Sequence, residues 1–283
     1  MEHENRNNKT DELTIVKIYD RILRLLGENR FHTISSLKIG VAGCGILGQI
    51  LPPIFSRLGV AEIRTLDKDI VKIENLPNSL FFNKAHLGLP KSVIATSIAK
   101  QYALKNLKTK AYCFDITDQN KEYLLARFLS GLNIVFGCFD SLPPRFALNA
   151  AALKFNVPYV DLGIEGFAGR VRLIDRRRGC YACNPLIPTH QATQIFKFSN
   201  ALPYQEKSGR NCDFAPTVSI MPVALITAAL AISIGLSYLG IIGKEPVYDY
   251  YYFHLFGEPV TLKITKKEDC IICGVNGEIW WKD

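Results

Sequence analysis

The sequence predicts an α/β fold built on a doubly wound, mostly parallel sheet with antiparallel C-terminal strands and a structural zinc site. Three observations support this prediction. Strand-like apolar runs alternate with helix-like segments as far as residue 165, a glycine-rich turn follows the first of these runs, and two C-x-x-C motifs lie far apart in the second half. Strands that alternate with helices of this length are typical of crossover units in a parallel sheet.

The first half of the chain contains most of the predicted elements. After a polar tail at residues 1–12, an amphipathic helix carries apolar residues at helical spacing, namely Ile15, Ile18, Ile22 and Leu25. The predicted strands are Lys38–Ala42, Glu62–Leu66, Leu132–Gly137 and Tyr159–Leu162. The predicted helices are Ile46–Leu58, Pro90–Leu104 and Pro144–Phe155. We expect one domain over residues 13–283, with a nucleotide-binding half at 36–165 and a half at 166–283 that holds the zinc ligands and a crossover loop.

The second half is richer in strands, with candidates at Val171–Ile174, Tyr248–Phe253 and Val260–Ile264. Between them, the uncharged segment Val218–Ile242 is long enough to cross a bilayer. Pro222 interrupts its first turns, however, and small residues keep its hydrophobicity modest. A helix buried on all sides within a large α/β protein gives the same pattern, so we expect no membrane segment.

Composition sets the class of protein and its partners. The first ten residues lack the apolar core of a signal peptide, which predicts a cytoplasmic protein. Eight cysteines in such a chain favour metal binding or catalysis over disulfides. The net charge of +8 favours an anionic partner, such as a nucleotide, an acidic protein or RNA. The compact basic run Arg176–Arg178 is interpreted as a solvated face.

A G-x-G-x-x-G motif, formed by Gly43, Gly45 and Gly48, directly follows the first strand. Such glycines let the backbone approach phosphate, and the following helix supplies free N–H groups. Asp67 ends the second strand, where Rossmann-like folds place the acidic residue that binds ribose. The motif therefore predicts nucleotide binding in a Rossmann-like domain, and its alternative is a turn needed only for packing. Cys44, between the glycines, is interpreted as a small buried residue.

Two further residues distinguish ATP from NAD as the predicted nucleotide. Lys91 begins a predicted helix and is a candidate cation for the phosphates, and Asp140 follows a strand and is a candidate magnesium ligand. Acyl transfer that uses ATP needs both kinds of group. Ligands of doubly wound sheets bind at the carboxyl ends of the strands, which is where Asp140 is predicted to lie.

The two C-x-x-C motifs, Cys180–Cys183 and Cys270–Cys273, together offer four thiolates. Four sulfurs complete a closed tetrahedral site, which predicts structural rather than catalytic zinc. A redox-active motif is the alternative, but neither motif follows the first strand of a thioredoxin-like unit.

The remaining cysteines divide into two groups. Cys113 and Cys138 are predicted to lie in apolar strands of the core. Cys212 follows Arg210 and precedes the long apolar segment, so it is either a nucleophile with thiolate character or an incidental half-buried cysteine.

These motifs together resemble the ThiF/MoeB superfamily, which also contains the ubiquitin-activating enzymes. The resemblance covers residues 19–274. The positions that match its nucleotide site are Arg21, Gly43, Gly45, Gly48, Asp67, Asp69, Asn75, Lys91, Asp140 and Ser141, with Arg145 and Asn149 downstream. Both C-x-x-C motifs fall where members bind zinc, and Cys212 falls near the catalytic cysteine.

The resemblance implies ATP-dependent adenylation of the C-terminal carboxylate of a ubiquitin-like or sulfur-carrier protein ending in glycine, or of a peptide. The carboxylate attacks the α-phosphate of ATP, which gives an acyl adenylate and pyrophosphate. The expected cofactors are ATP, Mg²⁺ and Zn²⁺. Lys91, Arg21 of the partner subunit in a homodimer and magnesium on Asp140 are expected to offset the phosphate charge. The acyl group then passes to Cys212 as a thioester, or to an external sulfur donor.

The sequence departs from the superfamily pattern at three places. Asn78 stands where a second active-site arginine is usual, Ser141 replaces an asparagine, and Cys212 lies closer to Pro216 than the usual cysteine does. Two alternatives follow. One is an enzyme that adenylates a small peptide or a modified tRNA base, and the other is a non-catalytic subunit of an activating complex.

Overall fold

A computed structural model of the chain describes residues 15–184 and 219–275. Its helices are α1 at residues 15–26, α2 (Glu28–Ser36), α3 (Leu51–Leu58), α4 (Lys91–Tyr102), α5 (Glu122–Leu129), α6 (Leu142–Lys154) and α7 (Met221–Tyr238). Its strands are β1 (Lys38–Ala42), β2 (Glu62–Leu66), β3 (Lys108–Tyr112), β4 (Ile134–Gly137), β5 (Tyr159–Glu165), β6 (Ala168–Ile174), β7 (Tyr250–His254) and β8 (Val260–Leu262).

The strands form one eight-stranded sheet in the order β3-β2-β1-β4-β5-β6-β7-β8. Strands β1 to β5 are parallel to one another. Strands β6, β7 and β8 continue the sheet in antiparallel fashion. The fold class predicted from the sequence is therefore confirmed.

Helices cover both faces of the sheet, and the strand side chains alternate between two apolar clusters. On β4, Ile134 and Phe136 belong to the cluster that includes α2, α3 and α7, whereas Val135 belongs to the cluster with α5, α6 and the four cysteines. The strand ends of the parallel part are consequently fixed from both sides, which is the condition for a rigid ligand site.

Helix α7 has the length and apolar composition of a membrane span, although half of it is buried in the structure. Residues such as Ala224 and Ala228 pack in the apolar cluster beside β5 and β6. Leu225 and Ile226 on its other side are 41% and 45% exposed. The expectation of a helix buried on all sides is therefore wrong, because only one side of α7 faces the sheet.

The predicted helix Ile46–Leu58 begins later than expected, at Leu51. Pro52 and Pro53 lack N–H groups, so they fit only the first turn of a helix, and residues 46–50 form an irregular turn before it. Helix α5 was not predicted, and β3 received no predicted bounds, although Cys113 was expected to lie in an apolar strand of the core. Strand β3 has the sequence Lys-Thr-Lys-Ala-Tyr and lies at an exposed edge of the sheet. Its two lysines are typical of an edge strand, and the strand therefore lacks the alternation of apolar residues that would predict it.

Two other sequence interpretations change in the structure. Cys113 is exposed just beyond β3, so its assignment to the core is wrong, whereas Cys44 and Cys138 are buried. The run Arg176–Arg178 is not simply solvated, because Arg178 pairs with Asp175 at 2.8 Å and with Asp249 at 2.7 Å.

Candidate nucleotide site and metal centre

The glycine-rich turn, Asp67 and Asp140 lie at the same edge of the sheet, because β1 pairs with both β2 and β4. The amide of Gly43 donates to the carbonyl of Leu66 at 2.7 Å, and the amide of Cys138 donates to the carbonyl of Ala42 at 2.7 Å. These two bonds bring together the loops that follow the three strands. The carboxyl ends of the strands thus form the predicted ligand-binding edge.

The glycine turn depends on the absence of side chains. Gly43 has a φ angle of 85°, in the region that favours glycine. A Cβ on Gly48 would lie 1.7 Å from the carbonyl oxygen of Gly43, so only glycine fits there. A Cβ on Gly45 would meet nothing within 4 Å. The turn is therefore tightly packed at both ends and open at Gly45, where a phosphate can approach the backbone.

Asp67 is 8% exposed and anchors the glycine turn. One of its oxygens accepts from the amide of Cys44 at 2.5 Å, and the other accepts from the amide of Asp69 at 2.8 Å. Burial raises the pKa of the Asp67 carboxyl, although the two amide bonds and Lys91 oppose this effect in part. A carboxylate oxygen has more than one lone pair, so Asp67 can hold the turn and still accept from a hydroxyl.

Lys91 opens helix α4 and is 9% exposed. Its amide donates to the carbonyl of Asp69 at 2.9 Å, and its Nζ lies 3.2 Å from Oδ2 of the same residue. Asp69 therefore holds both the backbone and the ammonium of Lys91. Because the Asp69 side chain is itself 52% exposed, an incoming anion can compete for the lysine without leaving a buried charge unpaired.

Asp140 and Ser141 are both exposed, and Ser141 is the N-cap of α6. Beneath them, the buried guanidinium of Arg145 bonds to the carbonyl of Phe139 and to Asp161. Arg145 thus holds the loop that carries Asp140 in place. Mg²⁺ usually takes only one or two protein carboxylates and completes its shell with phosphate oxygens and water, so this exposed carboxylate fits such an ion.

A lysine that the sequence reasoning overlooked also lies at this edge. Lys68 donates to Oδ2 of Asp115 at 2.8 Å. That hydrogen bond raises the pKa of the Lys68 ammonium, and the charges of Asp69 and Asp140 add to the effect. In the sequence, the position of Lys68 between Asp67 and Asp69 could have indicated that it lies at this edge.

Gln49, another overlooked residue, joins the glycine turn to the segment that carries Asn78. Its Nε2 donates to the carbonyl of Asn78 at 3.3 Å, and its Oε1 accepts from the hydroxyl of Ser79 at 2.5 Å and from the amide of Phe81 at 3.2 Å. Gln49 is 2% exposed, so it belongs to the framework of the site. In the sequence, the position of Gln49 directly after the third glycine of the motif could have indicated that it belongs to this site.

For two other predicted site residues, the hydrogen bonds of the described part of the chain do not reach Lys91 or Asp140. Asn75 accepts from the amide of Lys72 at 3.0 Å and so stabilises the short helical turn Ile73–Asn78. Arg21 is exposed on α1, and in the described part of the chain no hydrogen bond or ion pair joins it to Lys91 or Asp140. Cys212 lies outside the described residues, as do the polar tail 1–12 and the predicted crossover loop, whose basic part is residues 188–210.

The four motif cysteines form one buried cluster, although two of them come from each end of the second half. All four sulfur atoms lie within 4.8 Å of one another. The distances from Cys180 Sγ to Cys270 Sγ and from Cys183 Sγ to Cys273 Sγ are both 3.5 Å. A tetrahedral ion with Zn–S bonds of about 2.3 Å requires sulfurs about 3.8 Å apart, so the cluster fits zinc.

Buried polar groups hold the first motif in place. The guanidinium of Arg172, which is 1% exposed, donates to the carbonyls of Gly179 at 3.2 Å and Cys180 at 2.5 Å. The amide of Lys267 points at the sulfur of Cys183, at 3.4 Å. Such contacts orient metal ligands and reduce the charge on the thiolates.

A buried network connects the cysteine cluster with the loop of Asp140. Tyr181, between two motif cysteines, accepts from Arg170 at 3.0 Å. Arg170 also bonds to Asp161 at 3.3 Å, and Asp161 bonds to Arg145. Arg145 donates to the carbonyl of Phe139, directly before Asp140. The same buried network therefore contacts both the cysteine cluster and the loop that carries Asp140.

Known proteins with similar sequences and folds identify the family of this chain. The chain is 28% identical over 169 residues to SUMO-activating enzyme subunit 2 of Dictyostelium discoideum, which covers 59% of this chain and 25% of that protein. It is 27% identical over 173 residues to adenylyltransferase and sulfurtransferase MOCS3 of Danio rerio, covering 60% of this chain and 37% of that protein. The chain thus spans less than half the length of these relatives.

Among solved structures, E. coli MccB with AMPCPP and MccA superposes with a TM-score of 0.72 at 18% identity, covering 91% of this chain and 74% of that one. At this identity the likeness concerns the fold. The sequence profile of the ThiF family matches residues 19–271, which is most of the 283 residues. The chain therefore belongs to the ThiF family.

Proposed function

We propose that the protein is an ATP-dependent adenylyltransferase that activates the C-terminal carboxylate of a ubiquitin-like or sulfur-carrier protein. The observation that carries this proposal is the meeting of an open glycine turn, a buried lysine and an exposed aspartate at one edge of the sheet. Membership of the ThiF family supports it.

Each residue of this edge has a role in the proposed reaction. The amides around Gly45 bind phosphate oxygens, Asp67 accepts from the ribose, and Lys91 moves from Asp69 to the phosphates. These groups stabilise the negative charge that develops on the oxygens of the α-phosphate in the transition state. Asp140 would hold magnesium, which supplies further charge neutralisation at the phosphates when it is bound.

The names of similar proteins support this class of substrate. The curated relatives include a SUMO-activating subunit and an adenylyltransferase and sulfurtransferase, and the solved MccB structure contains MccA. A peptide substrate, an alternative that the family resemblance left open, is the second candidate, and the solved structures with this fold include MccB with MccA. In either case the acyl acceptor after adenylation, including Cys212, remains part of the proposal.

The proposal is tested by ATP–pyrophosphate exchange with carriers that end in glycine. Exchange should require the free terminal carboxylate, because that group attacks the α-phosphate, and an amidated carrier should be inactive. A synthetic peptide of the carrier's last residues is the second arm. Exchange with the intact carrier alone supports a carrier enzyme, whereas equal exchange with the peptide supports the peptide alternative. No exchange with any carboxylate, despite ATP binding, would identify a non-catalytic subunit.

We also propose that two chains complete each nucleotide site, with Arg21 of the partner subunit reaching the phosphates. Arg21 is exposed and makes no described contact with its own site, and the uncharged helix α7 has Leu225 and Ile226 exposed on its outer side. A second copy of the chain would cover this apolar surface.

Complementation distinguishes a composite site from one built within a single chain. Arg21→Ala and Lys91→Ala variants should each be inactive alone. In a randomised mixture, half of the dimers contain both chains and one of their two sites is intact, so about a quarter of wild-type exchange should return. If Arg21 acts within its own chain, mixing will restore nothing.

A further inference from the structure

Arg172, in the middle of β6, is a buried cation without a carboxylate partner. Its side chain is 1% exposed, and within the described residues no ion pair joins it to an acidic group. Its guanidinium donates instead to the carbonyls of Gly179 at 3.2 Å, Cys180 at 2.5 Å and Tyr181 at 3.3 Å. Its Nε is buried and has no partner in the described structure. A buried charge that is not paired is costly, so this position needs an opposite charge nearby.

The other two buried arginines of the described residues, Arg64 and Arg145, do have such a partner. Arg64 pairs with Glu62 at 2.7 Å, and Arg145 pairs with Asp161. Arg64 also donates to three backbone carbonyls at the end of α5, as Arg172 does at the first C-x-x-C motif. Carbonyl hydrogen bonds therefore accompany an ion pair at Arg64, whereas at Arg172 they stand without one.

Asp161 is opposite Arg172 in the register of β5 and β6, but it already serves two other arginines. It pairs with Arg145, and its second oxygen lies 3.3 Å from Nη1 of Arg170. Three guanidinium groups thus share one carboxylate. Two positive charges of this group remain without compensation by the ion pairs of the described residues.

The neighbouring cysteine cluster would supply the missing negative charge when it holds zinc. Four thiolates around Zn²⁺ carry about two negative charges in total. Arg172 donates to the carbonyl of Cys180, and Arg170 donates to the hydroxyl of Tyr181 in the same motif. The uncompensated positive charges therefore lie beside a group of equal and opposite charge, in an interior where such attraction is strong.

We propose that Arg172 is the buried counter-cation of the metal-bound cysteine cluster, and that its positive charge adds to metal affinity beyond the orientation that its hydrogen bonds give. Arg170 contributes to the same compensation from the rim of the network, where its side chain is 29% exposed. This role does not depend on the adenylation proposed above. Removing the charge of Arg172 should weaken metal binding even where the geometry of the four sulfurs is preserved.

Competition between the zinc-loaded protein and graded EDTA tests this proposal, at one pH because protonation of the thiolates changes metal affinity. Arg172→Gln keeps donors for the carbonyls but removes the charge, and we expect zinc affinity to fall about 10–100-fold, as is usual when a group that supports metal ligands is lost. Arg172→Lys keeps the charge and should bind zinc at least severalfold more tightly than Arg172→Gln. The matched control Arg64→Gln alters a guanidinium with similar carbonyl bonds and should also retain zinc severalfold more tightly than Arg172→Gln.

Cobalt(II) in place of zinc reports the geometry of the site through its absorption bands. Arg172→Gln saturated with Co²⁺ should keep the wild-type spectrum, because four sulfurs still surround the ion. If Arg172→Gln does not fold, Arg170→Gln at its more exposed position replaces it and should weaken zinc affinity at least severalfold.

Four results would each overturn the proposal. The first is wild-type zinc affinity in Arg172→Gln, or in Arg170→Gln where that variant replaces it. The second is an Arg172→Lys protein that binds zinc no better than Arg172→Gln, which would assign the effect to hydrogen-bond geometry. The others are an equal loss in Arg64→Gln and a changed cobalt spectrum in Arg172→Gln.

Discussion

Replacing Lys91 or Asp140 by alanine is expected to reduce ATP–pyrophosphate exchange by two to three orders of magnitude. Both groups act on the phosphates of ATP or on their metal, and removing one preorganised electrostatic group costs about 3–4 kcal/mol of transition-state stabilisation. The fold should tolerate both changes, because Asp140 is exposed and the partner of Lys91, Asp69, is half exposed. Exchange with a saturating carrier is the measurement.

Lys100→Ala, at the other end of helix α4, is the matched control and should retain wild-type exchange. Cys212→Ala should also retain exchange and lose only a later covalent intermediate, since a thiol attacks the adenylate after it has formed. Wild-type exchange in Lys91→Ala or Asp140→Ala would refute the assignment of the active site. Loss of exchange in a folded Cys212→Ala protein would refute the order of the two steps.

Zinc loss is the second large effect that we expect. Each chain should contain one zinc ion, and Cys180→Ser or Cys270→Ser should lose it. Structural zinc contributes folding free energy directly, with apparent values of about 10–16 kcal/mol in small zinc-binding peptides. A loss of even about 4 kcal/mol lowers the melting temperature of a domain of this size by roughly 10 °C.

The measurements are elemental analysis and thermal unfolding, with Cys113→Ser as the control. Cys113 is exposed and lies outside the cluster, so its replacement should change neither zinc content nor melting temperature. A freshly purified protein that is folded but free of zinc would contradict this prediction.

Local patterns were enough to predict the central features of the fold and the site. The glycine spacing, the acidic end of β2 and the two C-x-x-C motifs each specify their chemistry through neighbouring residues. Strand β3 was missed because an exposed edge strand rich in lysine has no apolar alternation. The start of α3 was misplaced because two prolines at the second and third positions after Ile50 were interpreted as part of the helix interior, whereas they lie in its first turn.

Pairings between distant residues could not be predicted. Gln49 contacts the segment around Asn78, and Arg145 contacts Asp161, only because the chain returns to the same place. No sequence pattern distinguishes such buried polar residues from exposed ones.

The network around Asp161 has a consequence for how the chain unfolds. Arg145 and Asp161 come from residues 36–165, whereas Arg170 and Tyr181 come from residues 166–283, and Asp161 is fully buried. Separating the two halves would break the ion pair between Asp161 and Arg170 and the seven residue pairs that join β5 to β6, whereas the pair between Arg145 and Asp161 would stay within one half. The two halves are therefore not independent folding units, and the sheet and the cysteine cluster should melt in one cooperative transition.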